Sequence, residues 1–124
     1  MQKKILLIDD SSVNNLLLQN VLEDEKFIVL VAFNGKEGLD IIKREKPDLI
    51  LLDIMMPRMD GIEVLQKIIS DESTSKIPVI MLTAKTDKAD RQISLEMGAA
   101  DFITKPVNID ELLSKINAIL GLTA

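Results

Sequence analysis

Apolar residues along this chain fall into two kinds of run. Residues 5–8, 49–52 and 79–82 are short and unbroken, without polar alternation, which is the pattern of strands buried on both faces of a parallel sheet. Residues 27–33 carry the β-branched Ile28, Val29 and Val31 and read as a further strand, and residues 99–104 hold a short one around Phe102 and Ile103. Between these runs the apolar residues recur at helical spacing. They are Leu17, Leu18, Val21 and Leu22 through about Glu25, then Leu39, Ile41 and Ile42 ahead of Pro47. Val64, Leu65, Ile68 and Ile69 follow, then Ile93, Leu95 and Met97, and finally Leu112, Leu113, Ile116, Ile119 and Leu120. Each helix has a start signal: Ser11 and Ser12, Asn34 with Glu37, Asp60 with Glu63, Asp87 with Asp90, and Asn108 with Glu111. Gly98 is placed as a left-handed stop, and Gly121 follows the last helix. Residues 55–59, Met55-Met56-Pro57-Arg58-Met59, read as a loop, and residues 70–76 as a connector within one domain.

Strands alternating with helices require a parallel sheet covered on both faces, because each right-handed crossover lays its helix across the sheet. The expected architecture is one α/β domain over residues 1–124. It is a doubly wound (βα)5 three-layer sandwich, which is flavodoxin-like if the parallel sheet order is 2-1-3-4-5. A length of 124 residues supports one such core and no second domain.

Composition narrows the chemistry. The chain has no cysteine and no histidine, which removes disulfides, thiolate metal sites and the commonest acid/base residue. Whatever reaction occurs runs on carboxylates, hydroxyls and lysines. A net charge of -5 argues against direct binding to nucleic acid, which needs a basic surface. Aromatic residues make up 2% and are all Phe, too few for base-stacking platforms or a flavin sandwich. The six methionines read as gap fillers and loop residues. The apolar run at residues 5–8 is too short, and too soon followed by acids, for a signal peptide or membrane span. The expectation is a cytoplasmic protein with no membrane partner.

The ends of the strands carry the informative residues. Strand 1 runs into Asp9 and Asp10, strand 3 into Asp53, strand 4 into Thr83 and strand 5 into Lys105. Singly, each has an ordinary reading: Asp9 and Asp10 as caps, Asp53 as a turn former, Thr83 as a β-branched strand terminus, Lys105 as a solvated lysine. Jointly they occupy the edge where open parallel sheets bind ligands, and in the order 2-1-3-4-5 strands 1 and 3 are neighbours at the switch point. Three converging acids repel, and a hard cation with oxygen ligands relieves them. Mg²⁺ suits two or three carboxylates, a loop carbonyl and waters better than Ca²⁺ does. With a lysine, a hydroxyl and a carboxylate nucleophile, the set suits phosphoryl transfer.

Asp9-Asp10, Leu52-Asp53-Ile54-Met55-Met56-Pro57, Asp60-Gly61, Thr83-Ala84 and Lys105-Pro106 resemble the motifs of the response-regulator receiver domain over essentially the whole chain. The resemblance implies that Asp53 accepts a phosphoryl group from a phosphohistidine on a sensor histidine kinase or histidine phosphotransfer protein. It implies Mg²⁺ bound by Asp10, Asp53 and the Met55 backbone carbonyl, with Asp9 acting through water. By the same resemblance Lys105 pairs with the phosphoryl oxygens, Thr83 and the Ala84 amide contact them, and Phe102 joins Thr83 as the switch. Phe102 lacks the hydroxyl of the Tyr found in some members. Lys105-Pro106 resembles the family's cis peptide. The implied output is a changed surface on the fourth helix, fifth strand and fifth helix, acting on a partner or relaying the phosphate.

Rival readings are separable. A haloacid-dehalogenase-like phosphatase would place its nucleophile in an Asp-x-Asp after strand 1, and Asp9-Asp10-Ser11 lacks the second acid at that spacing. A flavodoxin-like electron carrier would share the fold but would want a hydroxyl- and glycine-rich phosphate cradle after Ile8. An interaction module without chemistry is weakened by the presence of all five expected residues. Conventional turnover is not expected; the chain would catalyse its own phosphorylation and dephosphorylation. No effector domain follows Ala124, so the expectation is a stand-alone receiver or an excised piece of a larger regulator, as a monomer or phosphorylation-dependent dimer. Val13 and Leu16 lie off the inward stripe of the first helix, suited either to docking a phosphodonor or to edge packing.

Overall fold

The computed structural model describes residues 2–56 and 59–122. Pro57 and Arg58, which the loop reading included, lie outside the described residues. Five strands alternate with five helices: β1 Lys4–Ile8, α1 Ser12–Asp24, β2 Ile28–Ala32, α2 Gly35–Glu45, β3 Leu49–Asp53, α3 Gly61–Ser70, β4 Val79–Thr83, α4 Lys88–Met97, β5 Asp101–Thr104 and α5 Ile109–Leu120. All pairings are parallel and the order is β2-β1-β3-β4-β5. This is the flavodoxin-like (βα)5 arrangement expected from the sequence. Among the described residues no helix is long and apolar enough to cross a membrane.

The period of two along each strand sorts the core into two layers. Leu6, Ile8, Ile50, Leu52 and Met81 point to the face covered by Ile42 of α2 and by Val64, Leu65 and Ile68 of α3. Ile5, Leu7, Leu49, Leu51, Ile80 and Leu82 point to the opposite face, covered by Leu18 and Leu22 of α1 and by Leu112 and Ile116 of α5. Every residue of β3 and β4 is buried, while β2, at the sheet edge, buries Ala32 alone. The unbroken apolar runs are therefore the central strands.

Four helices open on a side-chain cap: Ser11, Asn34, Asp60 and Asn108 accept the amide three residues on. At α2 the reciprocal contact of the capping box falls one residue early, with Phe33 N–H donating to Glu37 Oε1. Gly98 ends α4 at φ 118°, a left-handed conformation that glycine adopts without strain.

Two helices turn differently from their apolar spacing. Leu17 is 56% exposed and joins Val13 and Leu16 on the outer face of α1, while the polar Asn15 takes an inward position with Leu18 and Leu22. In α4 the buried residue is Ser94, whose hydroxyl donates to Asp90 C=O at 2.8 Å; Ile93 and Leu95 are exposed. A helix flanking the edge of a sheet meets less of the core, so its orientation is weakly coupled to its apolar residues.

Candidate functional site

The carboxyl edge of the sheet gathers the residues that the strand ends nominate. Asp9 extends β1 by one residue, its N–H donating to Ala32 C=O at 3.1 Å. Its carboxylate is buried, accepts Ser11 N–H at 2.9 Å through Oδ1, and leaves Oδ2 without a hydrogen bond among the described residues. Asn15, reaching back from α1, donates to the Asp9 carbonyl at 2.8 Å. Asp10 projects to solvent. The turn into α1 is thus clamped by Ser11 and Asn15, with one acid held inside and one outside.

Asp53 ends β3, 3% exposed, between the strands that carry Ile8 and Leu82. Met55 N–H donates to its Oδ1 at 3.1 Å, while the Met55 side chain is exposed. Lys105, past the end of β5, sets its ammonium 3.1 Å from Asp53 Oδ2 and 3.8 Å from Asp9 Oδ2. The Lys105 N–H donates to Thr83 C=O at 2.7 Å, and the Lys105-Pro106 peptide is cis. Thr83 is buried, its Oγ1 without a hydrogen-bond partner among the described residues, and Asp9, Asp10 and Asp53 each present one oxygen within 4.8 Å of the others. A cleft of about 180 Å³ opens beside Asp9 and Lys105, walled by Asn14, Leu17, Pro106 and Val107.

Burial dominates the electrostatics. It pushes the Asp53 carboxyl from 3.8 up to about 6, the charge of Asp9 adds to the rise, and Lys105 and the Met55 N–H oppose it. The ammonium therefore only partly offsets a buried, doubly acidic corner. A buried Asp9 oxygen that accepts no hydrogen bond among the described residues, beside an underneutralised Asp53, fits a hard divalent cation held by carboxylate oxygens.

The second cluster lies across β5. Phe102 is partly buried; the Arg91 guanidinium stands 5.1 Å from its ring centre and the Lys115 ammonium 5.4 Å. Lys115 also donates to Phe102 C=O at 2.9 Å and pairs with Asp101 at 3.2 Å, tying α5 to β5. Arg91 reaches Thr104 Oγ1 at 3.4 Å from α4. Ala84 N–H donates to Asp87 Oδ2 at 3.3 Å.

The structure thus brings Asp9, Asp10, Asp53, Thr83 and Lys105 to one edge, with Ala84 and Met55 in the flanking loops and Phe102 on β5. Asn15 and Asp87 were not legible as site residues. Asn15 stood out only as a polar residue spaced three and seven positions from Leu18 and Leu22, and Asp87 read as an ordinary helix cap.

Comparison with known proteins gives the same answer as the geometry. The family model described as response regulator receiver domain matches residues 5–117. The alkaline phosphatase synthesis transcriptional regulatory protein PhoP of Bacillus subtilis is 42% identical over 120 residues, 97% of this chain and 49% of that protein. The chain therefore spans about half the length of that relative. Protein PilH of Pseudomonas aeruginosa is 40% identical over 118 residues, 95% of this chain and 98% of its own. A putative response regulator from Chloroflexus aurantiacus superposes with a TM-score of 0.93 at 29% identity, covering 98% of this chain and 99% of its own. Chemotaxis protein CheY4 of Vibrio cholerae superposes at 0.89 and 28% identity, over 96% of this chain and 99% of its own. With its strand order, its acid pair and its edge lysine, the chain belongs to the receiver-domain family of two-component response regulators.

Proposed function

We propose that Asp53 is a phosphoacceptor, charged by a phosphohistidine on a sensor histidine kinase or histidine phosphotransfer protein in a Mg²⁺-dependent reaction. The observation that carries this reading is a buried carboxylate, 3.1 Å from an ammonium and close to two further acids, at the open edge of the sheet. In the transfer, an Asp53 carboxylate oxygen forms the new bond to phosphorus. The nitrogen–phosphorus bond breaks and its electron pair returns to the imidazole. Lys105 neutralises phosphoryl oxygens, the Thr83 hydroxyl donates to one of them, and the Ala84 amide offers a further donor.

Asp10, Asp53 and the Met55 carbonyl would hold Mg²⁺ directly, with Asp9 acting through water. The cation supplies charge neutralisation for the entering phosphoryl oxygens. Val13, Leu16 and Leu17, exposed on α1 beside the acid pair, form the apolar face offered to the phosphodonor. The added charge draws Thr83 toward the phosphoryl group, Phe102 turns inward, and the α4–β5–α5 surface changes for an output partner or for relay. A cytoplasmic location goes with this reading.

Intact-mass analysis after incubation with Mg²⁺ and acetyl phosphate tests the proposal. One phosphoryl adduct is expected, not formed when Mg²⁺ is chelated beforehand and absent from Asp53→Asn. An adduct that persists in that variant would overturn the assignment.

The adduct should be long-lived. Met55 and Lys85 flank the site, both exposed, and neither carries a carboxylate or amide that could position a water for attack. A lifetime of minutes or longer is expected by timed mass spectra, shortened when Met55→Asn supplies an amide. Decay of the wild type within seconds would contradict this account.

A further inference from the structure

The Ala84 amide, which with the Thr83 hydroxyl would supply the uncharged donors to a phosphoryl group on Asp53, already has an acceptor. Its N–H donates to Asp87 Oδ2 at 3.3 Å, and Asp87 N–H donates back to Ala84 C=O at 3.1 Å, closing the β4–α4 loop on itself. The side-chain bond is long for N–H···O and correspondingly weak. Its neighbour Thr83 Oγ1 is buried and has no hydrogen-bond partner among the described residues. One donor is thus free and the other is covered by a carboxylate.

That carboxylate is missing from where its position in the chain would put it. Asp87 stands at the start of α4 as Asp60 stands at the start of α3, yet only Asp60 accepts from its helix. The Asp87 backbone, at φ -93° and ψ 46°, is not in the extended conformation that the four capping residues adopt. Among the described residues α4 alone of the helices begins without a side-chain cap, although a residue able to cap is present.

We propose that Asp87 is a positioning residue whose carboxylate occupies the Ala84 amide until a phosphoryl group on Asp53 displaces it, whereupon it caps the first turn of α4. The inference rests on the phosphoacceptor reading. One N–H has one hydrogen to donate, so carboxylate and phosphoryl oxygen compete for it. The phosphoryl group carries more charge than the carboxylate and repels it. Released, the Asp87 carboxylate accepts from the Asp90 N–H, as Asp60 accepts from the Glu63 N–H at 3.0 Å.

The exchange reaches the output face through Arg91, in the turn that Asp87 opens. Arg91 N–H donates to Asp87 C=O at 3.0 Å, and its guanidinium contacts Lys85 C=O at 3.5 Å, Thr104 Oγ1 at 3.4 Å and the Phe102 ring. A change at Asp87 therefore moves the residue that braces the aromatic switch.

The test titrates Mg²⁺-loaded wild type, Asp87→Ala and Asp87→Ser with beryllofluoride, following the backbone amides by two-dimensional NMR. Removing the competing carboxylate should tighten beryllofluoride binding about 2- to 10-fold, the range left when the regained α4 cap is set against one long hydrogen bond to a carboxylate. Asp87→Ser, which keeps a capping oxygen, should tighten it like Asp87→Ala. In the wild type the Ala84 and Asp90 amide signals should both shift on binding, and in Asp87→Ala the Asp90 shift should vanish. Wild type that takes up no beryllofluoride would sink the phosphoacceptor reading itself. Wild type that binds, beside folded variants that bind no more tightly, would overturn the role of Asp87 alone. An Asp90 shift unchanged in Asp87→Ala would overturn the capping step.

Discussion

Asp53→Asn should make the metal-free protein more stable at neutral pH while abolishing its phosphoryl adduct. The carboxyl is held at about 6 in the folded chain against 3.8 ordinarily, chiefly by burial. Between those values the folded state binds a proton that the unfolded state has released, so raising the pH favours unfolding. This is the reverse of the usual paired carboxylate. The penalty is absent below pH 3.8 and complete above about 6. It amounts to about 3 kcal/mol before any relaxation of the site.

Asparagine keeps an oxygen for the Met55 N–H and carries no charge to desolvate. Lys105, released from Asp53, retains Asp9 at 3.8 Å and is partly exposed to solvent. We expect Asp53→Asn to gain about 1–3 kcal/mol at neutral pH, measured by chemical denaturation with Mg²⁺ chelated, and almost nothing at pH 4. Added Mg²⁺ should narrow the difference, because a bound cation favours the ionised carboxylate of the wild type. A wild type less stable than the variant by the same margin at both pH values would refute the electrostatic origin. The instability is then a property of the site: the corner is built to be completed by positive charge.

Sequence patterning was legible where two signals coincided. The runs at residues 5–8, 49–52 and 79–82 had no polar member and were too short for a buried helix, which left burial on both faces of a sheet. The strand-end residues were legible because a parallel sheet delivers every carboxyl end to one edge, so residues from four separate strand ends became one candidate site once the order was fixed. Helix orientation was less legible. In α1, Leu17 and Leu18 are adjacent and only one can face the core; the choice depends on Asn15, which turns inward to hold the Asp9 carbonyl. In α4 the deciding residue is Ser94, which closes its own hydroxyl onto the helix and so buries without an external partner. Asp87 was misleading for a related reason. A cap signal states that a carboxylate is available, and the Ala84 amide competes for it from outside the helix.

Gly61→Ala should be among the most disruptive single-methyl additions in the chain, and its damage should reach the chemistry. A Cβ at residue 61 would lie 2.4 Å from Asp53 O and 2.6 Å from Ile54 Cα. Those are backbone atoms, with no rotamer to swing aside. The contact is close because α3 starts directly against the exit of β3, where Gly61 N–H donates to Ile54 C=O at 2.9 Å. Relief requires either lifting α3, which exposes Val64, Leu65 and Ile68, or pushing the end of β3, which carries Asp53. Both are costly, and we expect a loss of about 2–3 kcal/mol in denaturation.

A comparison with Asp60→Ala separates the two routes. That variant removes the cap from Glu63 N–H and should cost about 1 kcal/mol, with phosphorylation by acetyl phosphate unchanged. Gly61→Ala should instead slow phosphorylation at least tenfold in protein that is still folded, because a shift on the order of 1 Å at a nucleophile is felt as a large rate loss. Destabilisation with an unchanged rate would mean that α3 yields and Asp53 stays. A rate that falls with stability would mean that the helix start and the phosphoacceptor strand move as one body, with Gly61 as the point where they touch.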